Sequence, residues 1–426
     1  MAKMITSEIA RKCDSIVELS NIYNEWGGSF DYIHAATALV KCGKLPGGGR
    51  SSLVDKLCST WLTQLPQADV QACANVLWAS ARLGPAAVQR VWGPTWEAYI
   101  QQLQRDPNVV GPFPQDLSQV FWACAKLRKQ PSASELQLMV QTFLQPAVLK
   151  DARPQELANV VWALGELCQL RGWQGGVSEQ DVQQLLGKQQ LLLLTTGSGQ
   201  GAGNVLLGLA SMAAGSAPVI SVELARECSK QLLALVQTQV VGWTPQHVTN
   251  AMWACGELGL ANEQFFASAV AAAPKWLPQS TSLELTQAAS ACANLQYRDE
   301  AFLMQLLKQA DALLRPRISA TPAGSKSRKP LTPGNIDSMV SLCSLRVVQI
   351  NLPQLAGPMR ELVVECGIKQ RSDTHPANIA KLWVFHSWLL QHQLLDGKGL
   401  SGVLTQQQLR EGARGAAKFY GAQTSL

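Results

Sequence analysis

The stretch PQELANVVWALGEL, Pro154–Leu167, carries the pattern on which the fold depends. At about 100° per residue its apolar side chains fall within one arc of a helical wheel, which predicts a face buried against a second helix. These residues are Leu157, Val160, Val161, Leu164 and Leu167. The leading proline and the lack of period-two runs of β-branched residues favour a helix over a strand.

The pattern recurs along the chain. Six copies align, namely NVLWASARLG from Asn75, QVFWACAKLR from Gln119, NVVWALGELC from Asn159, NVLLGLASMA from Asn204, NAMWACGELG from Asn250 and QAASACANLQ from Gln287; weaker copies begin at His34 and Ser338 and lie around Lys381–Trp388. The equivalent central residues are Thr37, Trp78, Trp122, Trp162, Leu207, Trp253, Ser290 and Ser341. Their period of about 40 residues is typical of helix-pair solenoids. We predict an all-α fold, a right-handed α-solenoid of about nine stacked helix pairs.

Composition and connectors divide the chain into three predicted regions. Residues 1–314 form an array of about seven repeats, 315–335 a basic flexible insert, and 336–426 the C-terminal repeats. The insert contains the cations Arg315, Arg317, Lys326, Arg328 and Lys329 and no acidic residue. It either adds sequence-independent phosphate contacts or only lengthens one connector.

Two polar positions flank the central residue of each copy, one three residues before it and one four residues after it. They are seven apart and therefore share a helix face. The first members are Asn75, Gln119, Asn159, Asn204, Asn250 and Gln287, with His34 in the opening copy; the second members are Lys41, Arg82, Lys126, Glu166, Ser211, Glu257 and Asn294. Between them stand the small residues Ala38, Ala79, Ala123, Ala163, Gly208, Ala254 and Ala291. Stacking would align these positions into a polar stripe that suits a linear, repetitive ligand such as single-stranded RNA.

Each part of the stripe has two interpretations. The nearly constant amide favours a hydrogen-bond ladder between repeats over base contact. The variable second member either contacts the ligand or is an ordinary solvated residue. The tryptophans could stack on bases, but Leu207 and Ser290 at the equivalent position favour packing between helices.

Other kinds of chemistry find little support. GSGQGAG, Gly197–Gly203, lacks the Lys-Ser/Thr ending of a phosphate loop and aligns with the Pro-Gln turns of neighbouring repeats. No catalytic constellation can be assembled, so we predict no enzyme activity and no cofactor. The eleven cysteines form no CxxC pair, which predicts reduced thiols and no metal site. No membrane span is predicted, and the net charge of +6 permits a polyanionic partner without requiring one.

The motif Pro-Gln-x-Leu-Ala-Asn-x-x-Trp-Ala-Leu resembles the octotricopeptide repeat of green-algal organellar RNA-binding proteins. FDYIHAATALVKCGKL, Phe30–Leu45, is similar to the first repeat of members that carry a RAP domain. IAKLWVFHSWLLQHQLLDGKGLSGVLTQQQL, Ile379–Leu409, is similar to the segment preceding that domain. Animal relatives are the FAST-kinase-like leucine-rich proteins of mitochondria. The RAP domain itself, nuclease-like in this family, is not expected within the chain.

The resemblance implies sequence-selective binding of single-stranded organellar RNA that promotes processing, stability or translation of transcripts, alone or with other proteins of a ribonucleoprotein complex. It implies the chloroplast stroma, with the mitochondrial matrix as alternative, although MAKMITSEIARKCDSI does not look like a transit peptide. Two other functions stay open. One is a protein scaffold of the tetratricopeptide or HEAT type, and the other is an RNA-processing factor that depends on a missing RAP module.

Overall fold

The computed structural model describes residues 2–105, 113–214, 218–314, 333–370 and 374–420. These residues form helices that pack in succession and contain no β-strand, which confirms the predicted all-α repeat fold. The chain divides into two compact units, Met1–Leu232 and Leu233–Leu426. The predicted basic cluster of the insert, Arg315, Arg317, Lys326, Arg328 and Lys329, lies outside the described residues.

The helices follow one another with short connectors. The first unit contains α1 (Ala2–Ser7), α2 (Ile16–Trp26), α3 (Tyr32–Lys44), α4 (Leu53–Gln64), α5 (Val70–Leu83), α6 (Pro85–Arg105), α7 (Pro114–Leu127), α8 (Ala133–Leu144), α9 (Pro146–Asp151), α10 (Pro154–Cys168), α11 (Glu179–Leu185), α12 (Lys188–Leu194) and α13 (Gly199–Ala214). Helix α14 (Val222–Val236) includes the unit boundary. The second unit continues with α15 (Pro245–Leu258), α16 (Glu263–Ala271), α17 (Ala273–Trp276), α18 (Ser282–Asn294), α19 (Glu300–Leu314), α20 (Pro333–Ile350), α21 (Ala356–Glu365), α22 (Pro376–Gln391) and α23 (Gln406–Tyr420).

Each repeat consists of a helix A, which carries the aligned motif, and a helix B made of the one or two helices that follow it. Helices A are α3, α5, α7, α10 and α13 in the first unit and α15, α18, α20 and α22 in the second. Consecutive helices A pack side by side within each unit. The described residues therefore hold nine helix pairs, the number that the repeats predict.

Helices A begin at the predicted turn signals. Helices α7, α10 and α15 start at Pro114, Pro154 and Pro245, where the missing N–H of proline costs no helical hydrogen bond. Helix α13 starts at Gly199, so the glycine-rich stretch is a turn plus the first turn of a helix, as predicted. In α7 the Phe113 backbone N–H donates to the Asp116 carboxylate at 3.1 Å. Burial raises the pKa of Asp116 to about 6.

The predicted apolar arc forms the core. In α10 its five residues, Leu157, Val160, Val161, Leu164 and Leu167, are at most 1% exposed. Hydrogen bonds between side chains join helices B of neighbouring repeats. Trp61 Nε1 of α4 donates to Thr95 Oγ1 of α6 at 2.8 Å. Gln141 Nε2 of α8 donates to Asp181 Oδ1 of α11 at 2.7 Å. The eleven cysteines are free thiols, ten of them buried.

Consecutive helices A approach closely where small residues meet. A Cβ placed on Gly208 of α13 would lie 2.4 Å from the Val161 carbonyl oxygen of α10, and one on Gly165 of α10 would lie 2.6 Å from Gly208 Cα. Gly256 of α15 meets Ala291 of α18 in the same way, at 2.8 Å from its Cα. The small residues predicted to line the polar stripe are all buried, which corrects that part of the prediction, and Gly208 and Ala291 lie directly between helices. They are Ala38, Ala79, Ala123, Ala163, Gly208, Ala254 and Ala291.

Substituting Gly208 tests this contact. Gly208→Ala should lower the free energy of unfolding by about 1–3 kcal/mol, because its Cβ meets backbone on the neighbouring helix that cannot rotate away. Gly201→Ala is the matched control in the same helix, since its Cβ would meet only Ala158 Cβ at 3.6 Å. It should be neutral or slightly stabilising. Urea denaturation of both variants measures the difference, and equal stability would contradict the close approach.

Candidate nucleic-acid interface

The N-cap residue sets a common register for helices A. The caps of α5, α7, α10, α15 and α18 are Asp69, Phe113, Arg153, Thr244 and Thr281, each nine residues before the central residue of its motif. Helix α3 is capped by Asp31, so its central residue is Val40 and the residue four positions later is Lys44. Our assignment of Thr37 and Lys41 to these two positions is wrong by three residues.

The contacts of α3 give the physical reason for this correction. His34 is the third residue of the helix, is buried, and accepts a hydrogen bond on Nδ1 from the Asp31 backbone. The Lys41 ammonium donates to the Ala10 carbonyl at 3.2 Å and so contacts the N-terminal segment. Lys44 is exposed, with Nζ 5.7 Å from the Trp78 ring centroid. The sequence signal for this register is Gly43. It lies three residues after Val40, just as Gly165 and Gly256 lie three residues after the central residues of their repeats.

A second register error lies in α20. Left-handed residues follow helices α7, α15 and α18 at Arg128, Gly259 and Gln296, six positions after the central residue. Asn351 is the left-handed residue after α20, which makes Leu345 its central residue. Ser341, which we had assigned, is 0% exposed. Helix α20 is a turn longer than α18 at its N-terminal end, so the copy aligned from Ser338 lies one turn too early.

In the first unit the outward surface of helices A combines tryptophans with cations. We call this surface the tryptophan face and define it by Lys44, Trp78, Arg82, Trp122, Lys126, Arg128, Trp162 and Glu166. Its three tryptophans are half-buried. The Trp78 and Trp122 rings, on α5 and α7, lie 6.2 Å apart between centroids at an interplanar angle of 38°. The packing interpretation therefore holds for this pair, and part of each indole stays accessible.

The cations of the tryptophan face lie on α3 and α5 and at the C-terminal end of α7. Arg82 Nε donates to the Gly43 carbonyl at 2.8 Å while its guanidinium carbon lies 5.2 Å from the Trp78 centroid. Such cation–π contacts orient an arginine over the indole. Lys126 and Arg128 are exposed, and their charges oppose the rise that burial causes in the pKa of Glu166. The tryptophan face therefore holds four cations and one carboxylate, and that carboxylate interacts with Lys126 and Arg128.

The amides do not form the continuous ladder that we predicted. One bond of that kind exists in the second unit, where Gln287 Nε2 donates to Asn250 Oδ1 at 3.4 Å. In the described part of the first unit, the side chains of Asn75, Gln119, Asn159 and Asn204 are half-buried and none bonds to the amide of the next repeat. Gln119 Oε1 is buried without a hydrogen-bond partner.

The remaining predicted positions differ in accessibility. Ser211 is 7% exposed, so its side chain does not belong to an open surface. Glu257 is exposed and accepts from Asn294 Nδ2 at 3.3 Å, which links α15 to α18. Trp253 is half-buried, like the tryptophans of the first unit.

No protein-family model matches the chain, and no curated protein is significantly similar to it. The octotricopeptide identity therefore stays a prediction. Within the described ranges, none of the helices has the length and apolar character to cross a membrane, and no three or more His, Cys, Asp or Glu side chains gather as metal ligands.

Two variants of Trp122 test its packing role. Trp122→Ala should lower the free energy of unfolding by about 2 kcal/mol, because it removes a half-buried indole and its contact with Trp78. Trp122→Leu should cost less than about 1 kcal/mol, since Leu207 occupies the equivalent position in α13. Thermal and urea unfolding measure both. Full stability of the alanine variant would show that the indole does not hold the two helices together.

Proposed function

We propose that the chain binds single-stranded RNA along the tryptophan face. The observation that carries this proposal is the combination of accessible indole surface with Lys44, Arg82, Lys126 and Arg128 on neighbouring helices. Aromatic planes stack on unpaired bases of any sequence, and nearby cations neutralise the backbone phosphates. The indoles recur at one position in the three successive helices α5, α7 and α10, and this regular spacing matches a ligand that repeats once per nucleotide.

The variable position supports some selectivity within that binding. It holds Lys44, Arg82 and Lys126 in three repeats and Glu166 in the next. The carboxylate disfavours phosphate but accepts hydrogen bonds from base amino groups. The face therefore combines cations that attract any RNA backbone with one position, Glu166, that favours bases carrying an amino group.

The cellular role follows only from the resemblance to octotricopeptide proteins. On that basis we propose that the chain promotes processing, stability or translation of organellar transcripts, in the chloroplast stroma or, alternatively, in the mitochondrial matrix. Other proteins of a ribonucleoprotein complex would then join it. The proposal includes no catalytic step.

Selection of the purified chain against a random RNA pool at about 150 mM salt tests RNA binding directly. We expect an enriched run of at least about four nucleotides, one for each helix A of the tryptophan face. The variant Lys126→Glu should reduce the affinity for that RNA about three- to tenfold and flatten its dependence on salt, while circular dichroism stays unchanged. Retention of no RNA, together with a co-purifying protein, would instead favour a scaffold of the tetratricopeptide or HEAT type.

Two lysines of α3 give a matched pair for the location of the site. Lys44→Glu should weaken RNA binding about three- to tenfold, because Lys44 lies over Trp78 on the tryptophan face. Lys41→Glu makes the same change in charge on the same helix, but Lys41 contacts Ala10. It should leave RNA affinity nearly unchanged. Fluorescence anisotropy with labelled RNA measures both, and equal effects would show that net charge rather than this face determines binding.

A further inference from the structure

The second unit contains a cleft that shares no residue with the tryptophan face. Its volume is about 620 Å³, within the range of pockets that hold small organic ligands. It lies between the C-terminal parts of α18, α20 and α22. We call it the C-terminal cleft and define it by Ala293, Asn294, Gln296, Leu345, Val348, Gln349, Asn351, Trp383, Val384, Ser387, Trp388, Gln391 and His392.

The cleft exists because the central position of these repeats lacks tryptophan. Ser290 and Leu345 occupy it in α18 and α20. In α22 the left-handed residue is Gln393, which places Ser387 there by the same count. Smaller side chains leave open the space that indoles cover in the first unit. Leu345 and Val348 on α20 then form an apolar floor between the two neighbouring helices A.

Amides from all three helices surround this floor. They are Asn294, Gln296, Gln349, Asn351 and Gln391, and the lining contains no carboxylate. Several are held in place, since Gln296 Nε2 donates to the Gln349 carbonyl at 2.9 Å and Asn351 Oδ1 accepts from Trp388 Nε1 at 3.1 Å. Side-chain amides both donate and accept, as the edges of nucleobases do. A preorganised rim of this kind suits a planar heterocycle with alternating donors and acceptors.

Aromatic and cationic groups complete the cleft. Trp383 is a half-buried wall residue, and Trp388 is held against Phe385 with ring centroids 5.9 Å apart. Two arginines that are not part of the lining donate hydrogen bonds to its amides. Arg298 Nη2 donates to Gln296 Oε1 at 3.2 Å, and Arg346 Nη1 donates to Gln349 Oε1. One carboxylate is bonded to the lining, that of Glu257, which accepts from Asn294 Nδ2 at 3.3 Å. The two arginine charges exceed this single negative charge, and the excess favours an anionic ligand.

We propose that the C-terminal cleft is a base-binding subsite that takes one unpaired nucleobase of an RNA strand. The base stacks on Trp383, its edge bonds to Gln349 and Gln391, and its phosphate is attracted by Arg298 and Arg346. This inference rests on the proposed RNA-binding function and adds to it a subsite in the second unit.

Photocrosslinking of the full chain to a short RNA pool containing 4-thiouridine tests the subsite. Trypsin releases Leu382–Lys398 as one peptide, which contains Trp383, Trp388 and Gln391. We expect crosslinked nucleotide on this peptide by mass spectrometry. Trp383→Leu should remove that crosslink and lower RNA affinity about tenfold, as loss of one stacked base does.

Controls separate the possible results. Leu390→Ala changes an exposed residue of α22 outside the cleft lining and should keep both crosslink and affinity. Gln391→Ala should keep the fold by circular dichroism but lower affinity several-fold. Crosslinks confined to peptides of the first unit, with Trp383→Leu binding normally, would overturn the subsite and leave the proposed function standing. RNA that neither crosslinks nor binds anywhere on the chain would overturn both.

Discussion

Backbone contact between consecutive helices A is the constraint on which the remaining structure depends. At Gly165 and Gly208 the two helices come so close that neither position has room for a Cβ. Ala291 meets Gly256 in the same relation. This contact fixes the separation of neighbouring motifs, and it holds their central residues side by side. Helices α5 and α7 also pack side by side, and their Trp78 and Trp122 rings meet.

Capping decides which residues reach the outer surface of that stack. An N-cap such as Asp31 starts the helix at a definite residue, and a left-handed residue such as Asn351 ends it. A shift of three or four residues keeps a residue near the same helix face but changes its partners. Lys41 therefore contacts the N-terminal segment, whereas Lys44 lies over Trp78.

The two units carry different chemistry at equivalent positions. In three repeats of the first, Trp78, Trp122 and Trp162 occupy the central position, and cations lie on the same face. In the second, Ser290, Leu345 and Ser387 leave a cleft with an amide rim. One scaffold thus offers a charged stacking surface and a separate pocket, and both suit parts of an unpaired nucleotide.

The repeat pattern by itself determined the all-α fold, the nine helix pairs and the buried arc of Leu157 and its neighbours, because apolar periodicity is a local property of the chain. It also indicated the starts of helices A at Pro114, Pro154 and Pro245. Only the tertiary structure decided which small residues lie between helices, which of Lys41 and Lys44 borders Trp78, and that the amides form no ladder in the first unit. These depend on the separation and register of neighbouring helices, which are set by contacts between residues about 40 positions apart and are not encoded in any single motif.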